Sequence, residues 1–222
     1  MKRTIQIALA GLVLSSSCVF ADSISNTASG DYSNNGSQVP GSSYYTGNVS
    51  GSYFNNYFEF ILAGESGTVT SATFDVDAYV PSLPFAVTYD IFETSLDASI
   101  SNSCSSGCIS QYNGLVSGTL IGSVSIGPTD NNKTLAISLN SAGLNWLSAN
   151  VGGVVVIGGN IGTQPAVQGQ GPGVFVNSTF NSANALILTT VQASTPEPGT
   201  VAMLVLGLGA IAVSRRRRFF ER

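Results

Sequence analysis

Thr68-Val-Thr-Ser-Ala-Thr-Phe-Asp-Val-Asp-Ala-Tyr-Val80 decides the fold class. From its middle onward every second residue is apolar. Ala72, Phe74, Val76, Ala78 and Val80 point one way, and Thr73, Asp75, Asp77 and Tyr79 point the other. A period of two belongs to a strand with one buried face, whereas a helix would repeat its apolar positions every three or four residues. Pro81 and Pro84 end the run, because proline cannot donate to a strand ladder.

The same alternation recurs on both sides. In residues 53–62, Phe54, Phe58, Phe60 and Leu62 share one side, with Asn55, Tyr57 and Glu59 on the other. Residues 85–92, 115–126, 133–139, 151–159, 174–180 and 185–191 read as further short strands. The sequence Gly127-Pro-Thr-Asp-Asn-Asn132 joins two of them as a turn, with Asp130, Asn131 and Asn132 serving the turn rather than a cation. Residues 96–114 and 163–173 read as polar loops, and the Ser/Asn/Gly-rich residues 22–43 as a loose leader. One helix is expected over residues 142–149. Asn140 or Ser141 would cap it, Leu144 and Leu147 would share a face, and Trp146 would sit in the core. So many short strands between turns predict an all-β domain, an antiparallel β-sandwich of jelly-roll-like type.

Charge narrows the function. Charged residues make up 9% of the 222, far below the roughly one quarter usual in soluble domains. Between residues 22 and 194 there are ten acids and one base, Lys133, a formal charge of −9. Such a body repels phosphate backbones, so nucleic acid is excluded as a partner. Solubility must come from Ser, Thr, Asn and Gly, which suits β-structure outside the cytoplasm.

The basic residues lie at the two ends. Lys2 and Arg3 precede an apolar stretch over residues 5–14, and Val19-Phe-Ala21 places small or modest residues before a cut between Ala21 and Asp22. This is the pattern of a secretory signal peptide. Ser15-Ser-Ser-Cys18 has some of the form of a lipoprotein box, but Leu14 is one residue too far from Cys18, so loss of Cys18 with the leader is the preferred reading. At the other end Pro196, Glu197 and Pro198 hold the chain extended. A run of apolar and small residues follows, and then Arg215, Arg216, Arg217 and Arg218. Residues 199–214 would make a helix about 24 Å long, short for a membrane span but sufficient if the arginines snorkel and the bilayer thins. The arginines would stay cytoplasmic and the body would lie outside.

Pro-Glu-Pro, apolar helix and arginine cluster, in that order over residues 195–222, resemble the PEP-CTERM sorting signal of Gram-negative bacteria. The tail also resembles the ice-binding protein C-terminal domain. The resemblance implies recognition by an exosortase, an integral-membrane processing enzyme, with release or transfer of the upstream protein to the cell surface, the extracellular matrix or exopolysaccharide. Residues 53–191, including Ile157-Gly-Gly159 after the short helix, are similar in layout to body domains of uncharacterised PEP-CTERM proteins. The expected organisation is a signal peptide over 1–21, an exported domain over 22–194, and a sorting tail over 195–222 with its basic end at 215–222.

Once the leader is gone, only Cys104 and Cys108 remain, and an exported protein would join them as a disulfide. Histidine is absent, which removes histidine-based triads and histidine metal sites. Gly-x-Ser-x-Gly and Gly-Lys-Ser/Thr are absent too, so no cofactor and no catalytic residue are expected. Asp75 and Asp77 remain. Two apart on a strand, they stand about 7 Å apart on one face and are the weak candidates for calcium. The preferred reading is nevertheless two solvated acids on an open sheet face and no metal, with calcium second and a glycosidase pair the least favoured. Two classes of function survive: a non-enzymatic exported surface or matrix protein, and an exported module that binds carbohydrate or ice. For ice, Thr68-Val-Thr70 is the sole Thr-x-Thr rank in view.

Overall fold

The structure is a computed structural model, and it describes residues 18–40, 43–49, 51–79, 86–94, 96, 107–161, 173–177 and 184–192. The chain divides into a compact unit, Val19–Val191, and a second made of Met1–Cys18 with Gln192–Arg222, of which only Cys18 and Gln192 are described.

The described residues form two antiparallel sheets. The first has four strands in the order β1 (Cys18–Ser25), β12 (Ala185–Gln192), β6 (Thr68–Ala78) and β9 (Lys133–Ser138). In the second, β11 (Gly173–Asn177), β4 (Ser43–Val49), β5 (Ser52–Ile61), β10 (Val154–Ile161), β7 (Val87–Glu93) and β8 (Leu120–Ile126) follow one another. Two further strands join it off that path: β2 (Ala28–Ser33) pairs with β5, and β3 (Gln38–Pro40) pairs with β2.

Alternation does what the sequence predicts on β6. Ala72, Phe74, Val76 and Ala78 enter the main core, where they meet Phe58 and Phe60 of β5. The Phe74 ring lies 5.0 Å from that of Phe58 and 5.9 Å from that of Phe60. Phe74 comes from the first sheet and the other two from the second, so one core joins both layers. Tyr44 of β4 adds an edge-on contact with Phe58 at 4.8 Å.

The reverse face of β5 is also buried. Asn55, Tyr57 and Glu59 point away from the main core, and Tyr57 joins Tyr32, Cys108, Leu115 and Val156 in a smaller one. Its cover is the strap of residues 107–118, which contains helix α1 (Ile109–Gly114) where a loop was expected. The helix is short, carries no side-chain cap at Cys108, and is fastened at its sides. Asn55 Nδ2 donates to the Tyr112 carbonyl at 2.9 Å, and Thr94 Oγ1 donates to the Gly114 carbonyl at 3.3 Å.

Several boundaries differ from expectation. Residues 22–43 are not a loose leader where the structure describes them: the second half of β1, then β2 and β3, lie there, and Asp31, Tyr32 and Ser33 are fully buried. The reason is a backbone ladder with β5 from Ala28↔Glu59 to Ser33↔Phe54, which polar side chains do not impede. Strand β8 begins at Leu120 because residues 115–118 finish the strap. The turn at Pro128–Asp130 does link β8 to β9, but the two strands lie in different sheets, so it is a crossing between layers. Helix α2 (Ser141–Ala149) matches the expected helix. Asn140 caps it by accepting from the Gly143 N–H at 3.1 Å, and Leu147 is buried. Trp146 packs half-buried against the main core. No helix among the described residues is long and apolar enough to cross a membrane, and the expected span at 199–214 lies outside them.

Candidate functional sites

The residues expected to act fall in three places. The sorting residues Pro196, Glu197, Pro198, Arg215, Arg216, Arg217 and Arg218 lie outside the described residues. Ala21 and Asp22, which flank the expected signal-peptide cut, are both exposed within β1, where the Asp22 carboxylate accepts from the Ser23 N–H at 2.7 Å.

Cys108 is fully buried and disulfide-bonded, and Cys104 lies outside the described residues. The Cys108 N–H donates to the Gly36 carbonyl at 3.4 Å. Gly36 has φ +85°, a left-handed conformation that glycine adopts without strain. This anchors the start of the strap against the turn after β2. Its end crosses β10, where the Leu115 carbonyl oxygen occupies the space a Cβ on Gly158 would need.

The third place is the acidic pair. Asp75 and Asp77 lie two apart on β6, as expected, but they are not both solvated. Asp77 is 9% exposed and Asp75 is half-buried. Asp77 Oδ1 accepts from Thr134 Oγ1 of β9 at 2.7 Å, and the Asp77 N–H donates to Asn184 Oδ1 at 3.2 Å. Asp77 Oδ2 and Asp75 Oδ1 are both sealed from solvent with no hydrogen-bond partner. Burial, and then the neighbouring Asp77 charge, raise the Asp75 carboxyl above its ordinary range. Among the described residues no three or more of His, Cys, Asp and Glu gather as metal ligands.

Around this pair lies a polar set that the sequence did not single out. Asn184 Nδ2 donates to the Tyr44 hydroxyl at 2.6 Å, so Asn184 ties β6 of one sheet to β4 of the other. Burial pushes the Tyr44 hydroxyl up to about 12; the hydrogen bond from Asn184 lowers it and the Asp77 charge raises it. Deeper, the Tyr89 hydroxyl donates to Asn56 Oδ1 at 2.9 Å. Burial drives Tyr89 well above the usual tyrosine range. On the opposite face of β5, Glu59 Oε1 accepts from Thr27 Oγ1 at 2.8 Å, while Oε2 is buried without a partner. Asparagine and tyrosine pointing inward break a hydrophobic pattern only weakly, so alternation carried little signal for them.

The Asp130-Asn131-Asn132 stretch is a turn. Asp130 Oδ2 accepts from the Gly127 N–H at 2.8 Å, Lys133 Nζ reaches Asp130 Oδ1 at 3.4 Å, and Asn132 takes φ +60°.

The described body is therefore a two-sheet β-domain, and the chain beyond it carries an address. Residues 194–218 match the family model of the PEP-CTERM protein-sorting motif. That motif marks an exported protein that an exosortase-type system sorts to the cell envelope. Comparison with curated proteins gives no match.

Proposed function

We propose that the protein is a non-enzymatic surface or extracellular-matrix protein of a Gram-negative bacterium. The match of residues 194–218 to the sorting motif carries this reading. The chain enters the inner membrane through a signal peptide, and cleavage between Ala21 and Asp22 leaves residues 22–25 as the remainder of β1. The short helix over 199–214 holds the body outside the membrane while the arginines stay in the cytoplasm. An exosortase then acts at Pro196-Glu197-Pro198, and the body passes to the surface or to exopolysaccharide.

The body suits a role in cover or packing rather than turnover. Asp77 is nearly sealed, and the aromatic residues Tyr32, Tyr44, Tyr57, Phe58, Phe60, Phe74 and Tyr89 are spent in the two cores. We read its framework as a jelly roll. The order β1-β12-β6-β9 against β5-β10-β7-β8 supports this, since β1 and β12 sit side by side and, among these eight strands, the chain changes layer at every step except β7 to β8.

Replacing Glu197 with Ala, or deleting Arg215 to Arg218, tests the sorting route in the native host. Fractionation and intact mass should show unprocessed protein retained with the membrane. Normal processing and delivery in both variants would refute it. A glycan array on the released body bears on its role, because selective sugar binding would move the reading to a carbohydrate-binding module.

A further inference from the structure

We propose that Asp75 and Asp77 bind a hard divalent cation, calcium, on the outer face of the four-stranded sheet. The geometry begins with β6. Phe74 and Val76 enter the core, so the residues that alternate with them turn away from it on one side of the strand. Each carboxylate there keeps one oxygen, Asp75 Oδ1 and Asp77 Oδ2, out of contact with water and without a hydrogen bond. Asp77 is nine-tenths buried, and its other oxygen is already engaged by Thr134.

Two buried anionic oxygens need a positive partner or a proton. The body offers no side chain for this. Lys133 is its one base. That lysine lies in register with Ala78 on the neighbouring strand, but its amine turns to Asp130 at 3.4 Å. A small cation between the two free oxygens supplies what the protein does not.

The donor set selects the metal. Only oxygen is on offer, and oxygen-only sites favour calcium or magnesium over zinc or copper. Magnesium demands a near-ideal octahedron and gives up water reluctantly, whereas calcium accepts six to eight oxygens in flexible geometry. Asp75 is half-buried, so water can complete the shell from that side. Two protein carboxylates make a weak site, on the order of 10⁻⁴–10⁻³ M, the range of extracellular calcium modules. The site does not depend on how the tail is processed, so its test is separate from that of sorting.

The test uses the purified full chain, stripped with chelator. Thermal unfolding is followed with added calcium chloride, and with sodium chloride at matched ionic strength. Terbium luminescence, displaced by calcium, reads occupancy directly. In the wild type, millimolar calcium should raise the unfolding temperature where sodium does not, and terbium should bind. Asp75→Asn and Asp77→Asn should each abolish both responses, and Asp90→Asn should keep them. In chelator, Asp77→Asn should unfold at or above the wild-type temperature, since it removes one of two neighbouring like charges. If Asp77→Asn fails to fold, Asp75→Asn, at the half-exposed position, carries the comparison. The proposal is overturned if the wild type responds to calcium no more than to sodium, or if Asp75→Asn keeps the full response.

Discussion

At Gly158 the absence of a side chain is a packing requirement. The Leu115 carbonyl oxygen sits where a Cβ would be, and that oxygen belongs to the strap over the smaller core. A backbone atom cannot rotate aside, so a methyl group here must lift the strap or bend β10. Gly158→Ala should destabilise the protein by about 1–3 kcal/mol, the usual cost of overpacking. Gly64→Ala, with nothing within 4 Å of the added carbon, should be close to neutral. Thermal or urea unfolding of the two variants checks the contrast, and equal losses would refute the close approach. The sequence showed Gly158 only as part of a glycine-ended strand. Nothing local in it marks which loop will cross a given glycine, because that depends on chain distant in sequence. For the same reason the acidic pair was legible as a pair, whereas its burial was not. Thr134 and Asn184, which enclose Asp77, lie 57 and 107 residues away.

Among the elements, the crossing from β8 to β9 shows what turn chemistry can do. Pro128 starts a single 3-10 turn, and Asp130 closes it by accepting from the Gly127 N–H. That hydrogen bond is the chief reason the Asp130 carboxyl falls below its ordinary value of 3.8, with Lys133 a lesser one. A carboxylate lowered in the folded state stabilises the fold above its unfolded value, and this contribution is lost as pH falls through the folded value. Asp130→Ala should therefore cost a little stability at pH 7. The difference from wild type should shrink as the pH falls below 3.8. Unfolding curves at pH 7, 4 and about 2.5 would show it, and a difference constant across that range would count against the assignment. The turn itself was readable from Gly127-Pro128 and the Asx residues. That it separates two sheets was not, since a turn fixes local direction and leaves the choice of layer to packing. The polar stretch at 22–43 was misread for a related reason. Strands such as β2 are held by backbone pairing to β5, and composition does not register that.

For the whole molecule, the hydrophobic pattern of β6 was enough to give the all-β class and the inward row of residues. Phe74 is the centre of that row and the meeting point of the layers, with Phe58 and Phe60 across from it. Phe74→Ala should cost about 3–5 kcal/mol, because it removes a ring that both sheets pack on. Urea unfolding would measure it, and a loss below about 1 kcal/mol would mean that the sheets do not depend on this contact. The tail needed no fold to be read, since its signal is the linear order of three pieces.

The position of β12 also sets a timetable for the exported chain. Although it is the last described strand, it is not at an edge: it lies between β1 and β6, with its Ala185 to Val191 in register with Asp75 to Thr68. The first strand therefore has no partner in its sheet until residues 185–192 have been delivered. One residue, Ala193, separates them from the matched sorting stretch at 194–218. The sheet thus closes only with the last described strand, so the stretch that completes the fold and the stretch that carries the address are immediate neighbours along the chain.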